Sequence, residues 1–161
     1  MKRAPYSLME IARIGALFLV GDQLEDVMPP DRKEYPLKVV NATSVFALGD
    51  EVDFDEHNFN ELKKTLLRIE RIDPKRSPFA ALWVRRPEQP THGEVMVAGG
   101  SLPAEGYHIQ PLWPEILRAF SGLPTRWDRA GGTTIYYPIR NSDEEIVGVL
   151  EVSEQQTLYF I

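Results

Sequence analysis

Apolar residues near the start of the chain recur at the spacing of one helix face. Ser7 and Glu10 have the spacing of a capping box, in which each side chain accepts a hydrogen bond from a backbone N–H at the helix start. The pattern predicts an amphipathic helix that ends near Gly21 and Asp22. Its apolar stripe consists of Leu8, Ile11, Ala12, Gly15, Phe18 and Leu19.

Two later stretches also have helical spacing. Apolar residues between Phe59 and Ile69 predict a long helix that ends before Asp73 and Pro74, because a proline disfavours helical geometry in the preceding residue. A short helix is predicted after Pro114, and Gly122 ends it. The segment from Pro29 to Asp53 has no clear pattern: "PPDRKEYP" predicts a loop, and "LKVVNATSVFAL" fits either strand or helix.

The remaining apolar runs have the length and residue types of strands. "FAALWV" from Phe79 predicts a buried strand, and "GEVMVAG" its hairpin partner after the loop "PEQPTHG". Two strands are predicted in "YYPIRNSDEEIVGVLEV", which spans residues 136 to 152, and a last one in "TLYFI". Strands joined mainly by short turns predict an antiparallel sheet with helices packed on it, an α+β domain.

The hairpin at residues 136 to 152 is the most informative of these segments. Its second strand is aliphatic on both faces, which predicts a central strand covered on both sides. Gly148 in that strand predicts a close approach by another backbone or by a ligand. Tyr136 and Tyr137 must point to opposite faces. The turn "NSDEE" has no glycine for a tight primed turn, so we expect a longer or different turn.

Composition narrows the class of protein. The 161 residues predict one domain, 1–161, and the net charge of -6 argues against nucleic acid as a partner. The absence of cysteine excludes disulfides and thiolate sites. The apolar run from Ile14 to Val20 is too short for a membrane helix, so no membrane segment is predicted in this chain. We expect a cytoplasmic protein, or a periplasmic domain if the chain is excised from a membrane receptor.

An ordered series of segments resembles the Cache group of bacterial signal-sensor domains, which are built on a PAS-like sheet. The series is "ALFLVGDQLEDV", "RIDP", "FAALWV", "RAFSGLP" and the closing hairpin, and it spans most of the chain. GAF domains are a near alternative. The resemblance implies a PAS-like (profilin-like) central antiparallel sheet, an N-terminal helix on one face and a ligand pocket on the other. The membrane helix and output domain that usually flank such sensors are not in this sequence.

Aromatic residues and an arginine on the predicted strands and loops are the candidate ligand-binding residues. Aromatic walls with a few polar anchors form small-molecule pockets, and a guanidinium suits a carboxylate. The alternative is that these aromatics are ordinary core and that Arg85 ends a strand in solvent. The candidates are Trp83, Arg85, Tyr107, Trp113 and Tyr136.

Other chemistry has weaker support in the sequence. The acidic segment from Asp50 to Glu61 offers oxygen ligands for a hard cation but lacks the calcium-loop spacing, and a solvated helix start explains it better. The three histidines share no ligand spacing, and "VAGGSLPAEG" matches no phosphate-binding pattern. No nucleophile elbow is present, so we expect no enzyme, no metal and no cofactor.

Three functions follow, in descending order of support. The first is a sensory or regulatory domain of bacterial signal transduction that binds a small organic ligand against the sheet and signals to a protein partner. The second is a ligand-free interaction module of the same fold, acting as a homodimer through its first helix. The third is a metal-dependent enzyme that uses the acidic segment at residues 50 to 61.

Overall fold

The computed structural model describes residues 6–27, 56–76, 78–86, 89–100 and 109–155, and it has the predicted α+β architecture. The helices are α1 (Leu8–Phe18), α2 (Gly21–Val27), α3 (Glu56–Ile69) and α4 (Pro114–Phe120). The strands are β1 (Phe79–Arg86), β2 (Gln89–Ala98), β3 (Gln110–Pro111), β4 (Thr125–Arg129), β5 (Gly132–Arg140) and β6 (Ile146–Gln155). They form one antiparallel sheet in the order β3-β2-β1-β6-β5-β4.

The start of α1 is as predicted, but its end is not. Ser7 and Glu10 form both hydrogen bonds of the capping box, at 2.9 and 3.1 Å. The helix ends at Phe18, before the predicted Gly21, because Leu19 has an extended backbone with φ -91° and ψ 125°. Leu19 is still buried, so its apolar side chain reaches the core without continuing the helix. The chain then begins the separate helix α2.

The two later helices match their predictions. α3 ends at Ile69, before Asp73 and Pro74, which lie in turns. α4 has Pro114 in its first turn and ends at Phe120. Gly122 follows with φ 108°, a left-handed conformation that favours glycine, and its N–H donates to the Ala119 carbonyl oxygen at 3.0 Å. Proline at the start and glycine after the end therefore set the limits of α4.

β6 is a central strand, as the hairpin sequence predicted. Leu150 lies opposite Leu82 of β1 on one side and Tyr137 of β5 on the other. In the β5–β6 turn, the side chain of Asn141 accepts hydrogen bonds from the backbone N–H groups of Asp143 and Glu145, both at 2.9 Å. Residues 141 to 145 connect β5 and β6, with Glu144 at φ 66°, so the turn is longer than a tight two-residue turn and differs from it.

Two strand predictions were incomplete. β2 begins at Gln89, inside the stretch predicted as a loop, and β4 was not predicted. The sequence of β4, "TRWDR", lacks an apolar run because β4 is an edge strand whose Arg126 and Asp128 are exposed. The expected strand "TLYFI" and the segment from Pro29 to Asp53 lie outside the described residues.

The first face of the sheet is covered by α1, α2 and α3. α1 approaches α3 closely, since a Cβ on Gly15 would lie 2.9 Å from the Ile69 side chain. α2 places the Leu24 side chain against Gly148 of β6, where a larger residue would clash. The prediction was for another backbone or a ligand: the Trp83 backbone oxygen is 3.0 Å from the same Cβ position, but the closest approach is by the Leu24 side chain. The core of this face includes Leu62, Leu66, Ala80, Leu82, Val84, Ile135, Ile139, Leu150 and Val152.

The second face is covered by α4, and aromatic residues form a large part of its core. Buried residues of the strands and of α4 meet here in a cluster separate from that of the first face. Tyr136 belongs to this cluster, whereas Tyr137 packs against the core of the first face, so the two tyrosines point in opposite directions as predicted. Within the described ranges, no helix is both long and apolar enough to cross a bilayer.

Candidate functional site

The second face of the sheet brings together all three tryptophans of the chain. Trp83 comes from β1, Trp127 from β4, and Trp113 from the residue that precedes α4. The ring centroids of Trp83 and Trp113 are 5.4 Å apart at an interplanar angle of 86°, and those of Trp113 and Trp127 are also 5.4 Å apart. Tyr136 of β5 completes this group, which we call the aromatic cluster: Trp83, Trp113, Trp127 and Tyr136.

The aromatic cluster is held in place by a hydrogen bond as well as by packing. The Trp113 indole N–H donates to the Tyr136 hydroxyl at 3.1 Å, and their ring centroids are 6.1 Å apart. Trp83 and Tyr136 have no exposed surface. Edge-to-face and tilted ring pairs of this kind stabilise a fixed arrangement beyond the area that they bury. The cluster is therefore a fixed wall of the second-face core.

A buried carboxylate lies directly beside this wall. Glu151 of β6 is completely buried, and one of its oxygens accepts a hydrogen bond from the Trp83 indole N–H at 2.7 Å. Its other oxygen accepts from the Ser153 hydroxyl at 2.5 Å. The hydroxyls of Ser153 and Thr134 are 3.0 Å apart, so Thr134 donates to Ser153 when Ser153 donates to Glu151. We call this chain the polar network: Trp83, Glu151, Ser153 and Thr134.

The outer end of the polar network reaches a cavity of about 270 Å³. Thr134 and Ser153 contribute to its lining, and so does Arg129, which follows Trp127 by two residues on β4. The Arg129 guanidinium carbon lies 4.3 Å from the centroid of the Trp127 ring, a cation–π contact that orients it. The remaining described residues of the lining are Phe79, Gly131, Gly132 and Glu154.

The cavity offers the Arg129 cation, the hydroxyls of Ser153 and Thr134, and the Phe79 ring to a small molecule. Arg129 presents hydrogen-bond donors that suit a carboxylate or a similar anion. Glu154 lines the same cavity, but its carboxylate pairs with Arg76 at 2.9 Å, which partly neutralises it. The cavity volume of about 270 Å³ lies just below the range of about 300–1,000 Å³ that is typical of small-molecule sites.

Three of the five predicted site residues lie together on this face. Trp83, Trp113 and Tyr136 are members of the aromatic cluster. Arg85 is on the same face but contacts α4, with its guanidinium carbon 4.9 Å from the centroid of the Phe120 ring. Burial of that guanidinium lowers the pKa of Arg85 from its ordinary value. Tyr107 lies outside the described residues. That these residues contact a ligand stays a prediction.

The sequence interpretation missed the polar network and the cavity residues. Glu151 interrupts the aliphatic run "IVGVLEV", and an acidic residue in the middle of a predicted central strand was the available signal. Ser153 is two residues further along the same face. Trp127 and Arg129 were missed because the strand that carries them was not predicted. Trp127 and Arg129 lie near the polar network only because β4 pairs with β5 and β5 pairs with β6, and the sequence pattern does not specify this pairing.

The other candidate chemistries find little support in the described part of the chain. There, no group of three or more histidine, aspartate and glutamate side chains lies close enough to hold a metal ion. Residues 50 to 55 of the acidic segment lie outside those ranges, and His57 is exposed on α3. His92 lies near the end of the sheet, where its ring contacts the Thr91 hydroxyl at 3.1 Å.

Comparison with known proteins assigns no function to the chain, so the function is inferred from the geometry of the site. No family model matches the chain, and no curated protein matches it. The resemblance to Cache and PAS-like sensor domains therefore rests on the ordered segments of the sequence.

Proposed function

We propose that the domain is a regulatory module that binds a small organic ligand at the cavity on the second face of the sheet. The observation that carries the proposal is the position of this cavity: it lies at the outer end of a buried polar network whose innermost member is the Glu151 carboxylate. The ligand contacts Arg129, Ser153 and Thr134, with the aromatic cluster beside them.

The energetic argument starts from the cost of burying Glu151. Removing a carboxylate from water costs several kcal/mol, and hydrogen bonds from Trp83 and Ser153 offset part of that cost. An aliphatic residue at this position would form an ordinary core without such a cost. Costly buried ionisable groups next to cavities are typical of functional sites. We interpret the polar network as a device that holds the Ser153 and Thr134 side chains in fixed positions at the edge of the cavity.

The architecture supports a sensor of Cache or PAS-like type. Such a domain requires a central antiparallel sheet, an N-terminal helix on one face and a ligand site against the other. α1 lies on the first face, and Phe79, Thr134 and Ser153, which point to the second face, line the cavity. In this proposal the ligand favours one of two arrangements of the domain, and a signalling partner detects the change. The difference in its affinity for the two arrangements limits the size of the response.

A binding screen with two readouts tests the proposal. A panel of small carboxylic acids, amino acids and nucleotides is first screened by thermal shift, since a ligand at 100 times its dissociation constant adds about 2.7 kcal/mol of stability. Compounds that raise the melting temperature are then titrated by tryptophan fluorescence. Because all three tryptophans lie on the second face, their emission reports binding there.

Two arginines of β4 provide a matched pair of variants. Arg129→Gln removes the cation of the cavity and is expected to weaken binding of a screened compound at least ~10-fold, in line with the loss of a charged hydrogen bond. Arg126→Gln changes an exposed arginine that pairs with Asp128, and it should leave the affinity unchanged. A panel without a single binder, or equal effects of the two substitutions, would contradict the proposed site.

A further inference from the structure

An exposed apolar surface lies at the end of α1, away from the cavity of the second face. Leu17 is 76% exposed, Phe18 66% and Val20 49%. These residues are close in sequence, at the point where α1 gives way to α2. We call them the α1 patch: Leu17, Phe18 and Val20. Contiguous exposed apolar side chains on a soluble domain are typical of an interaction surface.

The α1 patch borders a second cavity, of about 330 Å³. Phe18 lines it from α1, and Ile69 and Ile72 contribute apolar surface from α3 and the turn that follows. Thr65 and Arg68 complete its described lining. A small molecule in this cavity would cover part of Phe18 and leave Leu17 and Val20 in water. A protein surface, by contrast, covers the whole patch and inserts a side chain into the cavity.

The surroundings of the α1 patch favour a second copy of this chain as the partner. The patch places protruding apolar side chains next to a cavity that fits one, which is the self-complementarity that a two-fold interface requires. Its charges are also divided. Exposed Arg13 precedes Leu17 by one helical turn and Arg68 lines the cavity, whereas α2, directly after Val20, carries acidic residues. Those acidic residues are Asp22, Glu25 and Asp26. Two of them, Asp22 and Glu25, accept hydrogen bonds from the β5–β6 turn of the same copy, and the third is the exposed Asp26.

We propose that two copies of the domain form a symmetric dimer through the α1 patch. A two-fold rotation brings the acidic α2 of one copy toward Arg13 and Arg68 of the other. This local attraction opposes the repulsion between two chains of net charge -6. A patch of three apolar residues is smaller than a standard interface, so the dissociation constant is expected to be on the order of 10 µM. The dimer does not depend on a ligand at the second face.

Sedimentation of the full chain between about 1 and 200 µM tests the dimer, since that range brackets the expected dissociation constant. The wild type should change from monomer to dimer over this range. Leu17→Glu places a charge in the centre of the interface and should raise the dissociation constant at least ~10-fold. Leu123→Glu is the matched control: Leu123 is also exposed, at 60%, but it follows α4. It should dimerise as the wild type does.

Charge reversal gives an independent readout. Arg68→Glu should weaken the dimer, and the difference from the wild type should shrink at high salt, because salt screens exposed charges. Arg118→Glu reverses an exposed arginine of α4 and should have no effect on association. Unchanged melting temperatures would show that all four variants fold. A wild type that stays monomeric to the highest concentration, or a dimer that Leu17→Glu leaves intact, overturns the proposal.

Discussion

The two faces of the sheet use the same strands for different purposes. On β6, Leu150 and Val152 point to the first face and join an aliphatic core that three helices cover. Glu151 and Ser153 alternate with them and point to the second face, where they form hydrogen bonds beside the aromatic cluster. α4, a helix of 7 residues, is the described helix that packs there. The first face is therefore buried mainly through apolar side chains under three helices. The second face is covered by one short described helix and contains the buried Glu151 carboxylate.

This difference indicates a division of roles. The first face stabilises the sheet, because fully buried aliphatic side chains supply most of the free energy of folding. The second face has a fixed ring wall, two hydroxyls and a cavity, which are the features of a binding site. The division is not absolute, because the first face also has a buried carboxylate: Glu94 of β2, opposite Val84 of β1, is completely buried. The three predictions below test it in order of decreasing effect.

The largest effect is expected from removing an aliphatic side chain of the first face. Leu82→Ala deletes a completely buried side chain that lies opposite Leu150 and Val97 in the sheet. It should lower the free energy of unfolding by about 3 kcal/mol, measured by urea denaturation followed by circular dichroism. The tryptophan emission spectrum of the folded variant should stay unchanged because the rings lie on the opposite face. A shifted spectrum would mean that the two faces are not independent.

A smaller effect is expected from changing the polar network. Glu151→Met leaves the donors of Trp83 and Ser153 without their acceptor and should cost about 2 kcal/mol. Glu151→Gln keeps an acceptor for Trp83 and should cost at most about 1 kcal/mol. Both are measured by urea denaturation, and both should change tryptophan emission, unlike Leu82→Ala. Equal losses for the two substitutions would show that hydrogen bonding does not account for this carboxylate.

The smallest effect is expected at Asp128, on the first-face side of β4. There the exposed carboxylate accepts hydrogen bonds from the Arg126 side chain at 3.1 Å and from the Thr133 hydroxyl at 2.8 Å. The hydrogen bond from Arg126, followed by that from Thr133, lowers the pKa of Asp128. A lowered pKa in the folded state stabilises the fold above the unfolded value of about 3.9, and this stabilisation is lost as the pH falls through the folded value.

Asp128→Asn should therefore melt slightly below the wild type at pH 7, and the two melting temperatures should converge in acid below about pH 3.9. Differential scanning calorimetry as a function of pH measures the difference. Asp143→Asn, at an exposed position in the β5–β6 turn, is a control for loss of a surface charge. A difference that persists in acid would show that the carboxylate charge is not its cause.

Local features of the fold were readable from the sequence. The capping box of Ser7 and Glu10, the proline and glycine that bound α4, and the aliphatic run of β6 each act over a few residues. Those elements were predicted correctly, as was the α+β class. The early end of α1 was missed because Leu19 satisfies the helical apolar pattern while adopting an extended backbone. β4 was missed because an edge strand with exposed charges has no apolar run.

The candidate site, in contrast, was decided by the tertiary structure. The sequence by itself showed that the chain has aromatic residues, arginines and a glutamate within a predicted buried strand. It also determined which residues of one strand share a face. Only the strand order brought Trp83 and Glu151, 68 residues apart, within hydrogen-bonding distance and placed Arg129 beside Ser153. The physical reason is that side-chain alternation is a property of one strand, whereas the neighbours of a strand are chosen by backbone hydrogen bonds and packing between distant segments.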